Sequence, residues 1–138
     1  MQTFYVSAHR LARRGLVVLL LLLVGAAQAQ ISQIQQLIPA AEFRSNLAFY
    51  GNSVAIAGDV MVVGAPGDGV TGAAYVYERS GDYFVQTARL QADDKANLDF
   101  FGTAVAVSGT TVVVGASGKD LSRGAVYVFS KTAGTWSQ

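Results

Sequence analysis

Residues 100–129 read FFGTAVAVSGTTVVVGASGKDLSRGAVYVF, and residues 49–77 read FYGNSVAIAGDVMVVGAPGDGVTGAAYVY. The second stretch is an earlier copy of the first. Gly51 and Gly102 are 51 positions apart, and Gly64 and Gly115 have the same separation. Self-similarity at a fixed period of this length is typical of stacked or radial repeat proteins. The chain therefore contains two structural repeats.

Each copy is divided into short apolar runs by turn residues. Gly58-Asp59 in the first copy and Ser108-Gly109-Thr110 in the second separate two such runs. Glycine beside a polar residue supplies the positive φ that a tight hairpin needs. The nearly unbroken apolar runs at 60–63 and 111–114 predict strands covered on both faces, as between neighbouring blades. We therefore predict an all-β chain of two four-stranded antiparallel propeller blades, which is an incomplete β-propeller preceded by a signal-peptide helix.

The aromatic–glycine and glycine–alanine pairs carry a family resemblance. They resemble the FG-GAP repeat, the blade motif of integrin α-subunit propellers and of many exported bacterial proteins, and the resemblance covers nearly all of residues 31–138. It implies a β-propeller with roles in adhesion and ligand binding at cell surfaces. The positions that carry it are Tyr50, Gly51, Gly64, Ala65, Pro66, Phe101, Gly102, Gly115 and Ala116, and Tyr50 departs mildly from the family's phenylalanine.

These motif residues are predicted to be structural. The aromatic side chain before Gly51 or Gly102 is expected to pack between blades, while the glycine permits a sharp entry into the inner strand. Gly64 and Gly115 are expected to end a strand where the chain turns.

Many integrin-type blades carry an Asp-rich calcium loop just after the glycine–alanine segment, so the resemblance raises the question of calcium. A calcium ion needs several closely spaced oxygen ligands. Here the two loops offer one carboxylate each, Asp68 and Asp120, and lack the family's Asp-x-Asp-x-Asp pattern. Both residues are predicted to be turn residues, with calcium binding as the weaker interpretation. No cofactor is predicted.

The first 29 residues are predicted to be a signal peptide. Arg10, Arg13 and Arg14 precede an apolar run at 16–24, and Ala27-Gln28-Ala29 has the small-x-small form that signal peptidase accepts. The alternative is an uncleaved membrane anchor, but the apolar run is shorter than the roughly 20 residues of a spanning helix. We therefore expect cleavage after Ala29 and a secreted product in the periplasm or at the cell surface.

The domain prediction follows from the repeat and the cleavage point. The segment 31–37 resembles 84–90 and is predicted to be a strand with one covered face. The predicted units are 1–29 as signal peptide, 30–83 as the first blade and 84–138 as the second.

Composition excludes several functional classes for the part after residue 29. It contains seven basic and nine acidic residues, a net charge of −2, so it has no basic footprint for nucleic acid. The chain has no cysteine, and its only histidine is His9. Ser–His or Cys–His catalysis and a Cys/His zinc site are therefore excluded after cleavage. The scattered carboxylates suggest no catalytic pair, and we predict that the protein is not an enzyme.

The predicted function is an exported, non-enzymatic β-propeller module that binds a protein or glycan ligand at a cell surface, in adhesion, through its inter-strand loops. The alternative is a fragment of a larger enzyme or lectin whose site lies on other blades. Two blades alone leave two large apolar faces uncovered. Further blades or self-association are therefore expected to cover them, and no membrane span is expected after signal cleavage.

Overall fold

The computed structural model describes residues 35–39 and 48–138. The predicted signal peptide lies outside these residues, as does the first part of the predicted strand at 31–37. Residues 35–37 are described and do not form a strand, so the strand prediction is wrong for them. Within the described residues no helix is long and apolar enough to cross a membrane.

In residues 48–138, eight strands form two antiparallel sheets, and each sheet is built from strands in chain order. We name the first sheet blade 1, with β1 (Ser53–Ala57), β2 (Val60–Ala65), β3 (Ala73–Ser80) and β4 (Tyr83–Leu90). The second, blade 2, contains β5 (Phe101–Ser108), β6 (Thr111–Ala116), β7 (Ala125–Thr132) and β8 (Thr135–Ser137). The prediction of an all-β fold with two four-stranded blades is confirmed. In the described part of the chain the only helical element is a single turn, Lys119–Ser122.

The two ends of the blades differ in their connections. At one end the strands are joined by two-residue turns, for example Gly58-Asp59, where Ala57 pairs with Val60. At the other end lie the longer connections 66–72, 91–100 and 117–124, together with the entry segment 48–52. We call these four segments the loop face.

The two blades have matching registers. In blade 1 Val62 pairs with Val76, and in blade 2 Val113 pairs with Val128. These pairs occupy equivalent positions of the repeat, so Val62 and Val113 lie in equivalent strands. The predicted duplication is therefore present in three dimensions.

Each blade has an aromatic face and an aliphatic face. The aromatic face of blade 1 contains Val63, Ala65, Ala73, Tyr75 and Tyr77, and that of blade 2 contains Val112, Val114, Ala116, Tyr127 and Phe129 together with Phe101. The aliphatic face of blade 1 contains Val62, Ala74 and Val76, extended by Leu90 and Ala92.

The main core lies between the blades. The aromatic face of blade 2 packs on the aliphatic face of blade 1 to form one cluster of buried side chains. Val62 and Val63, which are neighbours on opposite faces of β2, are both buried, so β2 is covered on both sides as its continuous apolar run predicted. Burial between blades is the main source of stability in a chain without disulfides.

Candidate functional site

The loop face carries exposed apolar side chains. Leu121 is 98% exposed, and Leu98 and Phe100 are also exposed. They line a cleft of about 500 Å³ between the connections 91–100 and 117–124. Phe49 and Val70 add two more exposed apolar side chains to the same face. Apolar residues gathered in this way are typical of an interaction surface.

Several of these residues are held in an unfavourable backbone conformation. Phe49, Leu98, Phe100 and Leu121 have φ values of 48°, 66°, 53° and 59°. A positive φ is uncommon for a residue with a side chain, and a bulky one pays a steric cost for it. Such conformations persist only where the surrounding structure enforces them, and they cluster at functional sites.

Hydrogen bonds between the connections enforce this arrangement. The Leu98 amide donates to the Val70 carbonyl oxygen at 2.7 Å, and the Gly118 amide donates to the Asp99 carbonyl oxygen at 2.9 Å. Both bonds join different connections of the loop face. The apolar side chains are therefore presented from loops tied to each other as well as to the sheets.

A charge centre lies beneath the connection 66–72. The Asp68 carboxylate is buried and accepts hydrogen bonds from the Tyr75 hydroxyl at 2.5 Å and from Arg89 Nη2 at 2.8 Å. Burial, reinforced by the hydrogen bond to Asp68, raises the pKa of Tyr75 to about 12. Tyr75 therefore remains a hydrogen-bond donor at neutral pH, and the centre fixes the connection to β3 and β4.

A second charge centre lies beneath the connection 117–124. Lys119 Nζ pairs with Asp94 Oδ2 at 3.1 Å and with Asp99 Oδ2 at 3.3 Å, and the Tyr127 hydroxyl donates to Asp94 Oδ1 at 2.9 Å. The hydrogen bonds from Tyr127 and Lys119 lower the pKa of Asp94, so its carboxylate is ionised at neutral pH. This centre links the connections 91–100 and 117–124, which together line the cleft.

The two centres are related by the repeat with the charges reversed. Lys119 follows Asp68 by 51 positions, and Tyr127 is the equivalent of Tyr75. In both blades the tyrosine donates to a carboxylate. In blade 1 that carboxylate is Asp68, which lies in the connection 66–72 between β2 and β3. In blade 2 it is Asp94, which lies in the connection 91–100 between the two blades. Each arrangement neutralises its own buried charge.

The two predicted calcium candidates lie in different places. The Asp68 carboxylate is occupied by Tyr75 and Arg89, whereas Asp120 is exposed in the turn at φ 51°. Both lie in turns or loops. Among the residues that the structure describes, no group of three or more His, Cys, Asp or Glu side chains is placed to hold one metal ion. Whether calcium binds remains a prediction.

The aromatic–glycine pair of blade 2 inserts into blade 1. Phe101 is buried in the core between the blades, and its ring centroid lies 5.5 Å from that of Tyr127. The Phe101 amide donates to the Thr71 carbonyl oxygen at 3.0 Å, and Ser53 Oγ donates to the Gly102 carbonyl oxygen at 2.9 Å. We call Phe101-Gly102 the tongue of blade 2.

The tongue lies in a slot that is formed by the glycine–alanine segments of blade 1. A Cβ atom on Gly64 would lie 2.0 Å from the Gly102 carbonyl oxygen, and one on Gly72 would lie 2.3 Å from the Phe101 carbonyl oxygen. Neither position has room for a side chain. We call the space beside Gly64, Ala65, Gly72 and Ala73 the glycine slot of blade 1.

This contact changes the role assigned to two glycines. Gly64 and Gly115 do not end their strands, because each lies inside a strand and is followed there by Ala65 or Ala116. Gly64 is required because another backbone approaches it closely. Gly51 and Gly102 have φ values of 89° and 96°, and Pro66 directly follows β2.

Tyr50 occupies the position in blade 1 that Phe101 has in blade 2. Its ring lies 5.5 Å from that of Tyr75, edge to face, and its hydroxyl donates to the Tyr77 hydroxyl at 2.5 Å. It therefore packs on the aromatic face of its own blade, as Phe101 does.

Sequence reasoning missed the two charge centres. The sequence alone does not show that Lys119 brings Asp94 and Asp99 together. The gapless alignment of the repeats up to the glycine-rich loops pairs Asp68 with Lys119, and this charge reversal was the available signal. A single lysine could not be matched to its partners without the fold.

Four-stranded antiparallel sheets that stack face to face and repeat along the chain define this protein as a β-propeller repeat module. A profile of the FG-GAP repeat matches residues 40–77 and 84–129. The chain belongs to the FG-GAP repeat family. A search of curated proteins finds no match to it.

Proposed function

We propose that this β-propeller module is exported, is not an enzyme and binds a partner at a cell surface through its loop face. The observation that carries the proposal is the set of exposed apolar side chains around the cleft, which includes Leu98, Phe100 and Leu121. Rigid sheets that present variable loops are a common arrangement for binding. Exposed aliphatic residues favour a protein partner over a surface glycan.

The charged residues near the cleft support a binding role. Asp68, Asp99 and Lys119 are buried, and each is engaged in an ion pair. Paired groups of this kind hold the loops in place. A catalytic acid or base instead needs a proton that it exchanges with a substrate.

Binding can be tested with arrays of extracellular proteins and of glycans, probed with the purified chain. We expect Leu121→Asp to weaken any binding at the loop face by at least about tenfold, because it places a charge in a desolvated contact. Tyr83→Asp is the matched control, because Tyr83 is also exposed but lies beside the turn at the opposite end of blade 1. Equal effects of the two variants, or the absence of any protein or glycan ligand, would contradict the proposal.

Export is tested separately. Expression in a host with a secretion pathway should yield a product outside the cytoplasm whose first residue is Gln30, as cleavage after Ala29 requires. A cytoplasmic product that begins at Met1 would contradict this part of the proposal.

A further inference from the structure

The contact between the two blades has a direction. It joins the aromatic face and tongue of blade 2 to the aliphatic face and glycine slot of blade 1. The two surfaces in contact are therefore different from each other. Because the blades are repeats, blade 2 also has an aliphatic face with a slot, and blade 1 also has an aromatic face with a tongue.

The aliphatic face of blade 2 is open. Val126 and Val128 are 69% and 52% exposed, whereas the equivalent residues of blade 1, Ala74 and Val76, are fully buried. Beside Val126 lies a cleft of about 430 Å³ lined by residues that include Gly115, Ala116, Gly124 and Ala125. These four are the equivalents of the residues that form the glycine slot of blade 1.

No tongue occupies this second slot in the described part of the chain. A Cβ atom on Gly115 would meet nothing closer than Ala104 Cβ at 3.5 Å. The corresponding atom on Gly64 would lie 2.0 Å from the inserted backbone. The difference between these equivalent positions is the inserted tongue.

The complementary surface on blade 1 is open along β1, whereas Val63 and Tyr75 on β2 and β3 are buried. Val54 and Ile56 are more than half exposed, whereas their equivalents Val105 and Val107 pack against the core between the blades. Within the described residues, a Cβ atom on Gly51 would meet nothing within 4 Å. The chain thus carries both halves of its internal interface a second time, one at each end.

We propose that a second copy of this chain docks head to tail, with its Tyr50-Gly51 tongue in the Gly115–Gly124 slot of the first copy. The internal interface supplies the geometry, since the same kinds of surface already meet there. Leu37 supports a second copy as the occupant. It packs on the aromatic face of blade 1, as Leu90 of blade 1 packs on the aromatic face of blade 2.

The contact between copies is expected to be weaker than the internal one. Ala104 replaces Ser53, which removes the hydroxyl that bonds the tongue carbonyl in the internal interface. Ser130 replaces Glu78, whose carboxylate accepts a hydrogen bond from Lys131 of the other blade at 2.6 Å. Association should therefore be reversible and depend on concentration.

A head-to-tail contact forms a closed ring if its rotation closes, and otherwise an open chain of copies. This inference concerns assembly and does not depend on what the loop face binds.

The test uses two variants of the full chain that each block one half of the contact. Val126→Lys places a charge on the aliphatic face of blade 2, and Ile56→Lys places one on the aromatic face of blade 1. Both side chains are exposed in the single chain, so both variants should fold, and circular dichroism and thermal melting check this. Mass is measured by sedimentation equilibrium over a range of concentrations.

We expect the wild-type chain to assemble beyond the monomer and each variant alone to remain monomeric. An equimolar mixture should form a complex of twice the monomer mass and grow no further, because one working contact remains. The wild type and both variants contain residues 1–34. Association through that segment would therefore leave each variant able to associate alone. A monomeric wild type would overturn the proposal. So would a mixture that behaves as its separate components, or an Ile56→Lys chain that associates as the wild type does.

A third variant tests the slot itself. Gly115→Ala adds one methyl group at a position with room for it in the single chain, yet that methyl would collide with an inserted tongue as it would at Gly64. We expect Gly115→Ala to abolish association and to leave the melting curve of the dilute protein unchanged or slightly raised. Association equal to that of the wild type would overturn the proposed insertion.

Discussion

The same substitution at two equivalent positions should have opposite effects on stability. At Gly64, a Cβ atom would lie 2.0 Å from the Gly102 carbonyl oxygen and 2.3 Å from Ser53 Oγ. At Gly115, the nearest atom would be Ala104 Cβ at 3.5 Å, an ordinary contact. Gly64→Ala therefore forces the tongue out of its slot, whereas Gly115→Ala adds a methyl group at an ordinary contact distance from its nearest neighbour.

The cost at Gly64 follows from the contacts that the tongue makes. Relief of the clash moves the backbone of blade 2 by more than an ångström, which breaks the hydrogen bond from Ser53 to Gly102. One lost hydrogen bond costs about 1 kcal/mol, and the strain of an overfilled core costs about 1–3 kcal/mol. We expect Gly64→Ala to lower the free energy of unfolding by about 3 kcal/mol. Gly115→Ala should raise it by up to about 1 kcal/mol, because alanine restricts the unfolded chain.

Urea denaturation of dilute protein, followed by circular dichroism, measures both values. Low concentration keeps association from contributing to the result. If the two variants lower the free energy of unfolding equally, or if Gly64→Ala leaves it unchanged, then the tongue does not fill the slot beside Gly64.

Three further substitutions test separate contacts. Arg89→Met leaves the buried carboxylate of Asp68 without its cation and should cost about 3 kcal/mol in urea denaturation; the double variant with Asp68→Asn should recover part of it. The hydrogen bond from Lys131 lowers the pKa of Glu78 below its usual value of 4.5. The hydrogen bond between Lys131 and Glu78 therefore adds to the free energy of unfolding fully above pH 4.5. This added stability is lost as the pH falls through the lower pKa that Glu78 has in the folded state. Glu78→Gln should be less stable than wild type by about 1 kcal/mol at pH 7, and the difference should vanish in acid; a constant difference would contradict the assignment. Phe101→Ala should cost about 3–5 kcal/mol, because it empties a space in the core between the blades, and a loss below 1 kcal/mol would contradict that packing.

The fold could be predicted from the sequence because the same pattern of residues occurs in both repeats. The glycines and apolar runs recur in the same order, and hairpin turns and strand periodicity are local properties that residue type determines. The strand at 31–37 was predicted from a loose alternation of apolar and polar residues and from its likeness to 84–90. At residues 35–37 it failed because Gln35 uses its side chain to bond the Phe84 backbone, while its own backbone forms no strand.

The candidate site was less readable, because it depends on contacts between distant parts of the chain. The pairing of Lys119 with Asp94 and Asp99 spans 25 and 20 positions and crosses from one connection to another. The approach of Gly102 to Gly64 joins two repeats. The pattern of residues marked these glycines as special, but only the three-dimensional arrangement shows what each one accommodates.

The directed contact between blades has a consequence for how such a gene can change. Since both blades are built to the same pattern, duplication or deletion of a whole 51-residue period would keep the apolar faces and glycine slots of the contacts between blades, although single polar contacts such as that of Ser53 would differ. Unequal recombination within the coding sequence would thus alter the number of units without requiring any new surface to evolve. A substitution of Gly64, in contrast, has no such neutral route, because the inserted tongue leaves no room for a side chain there.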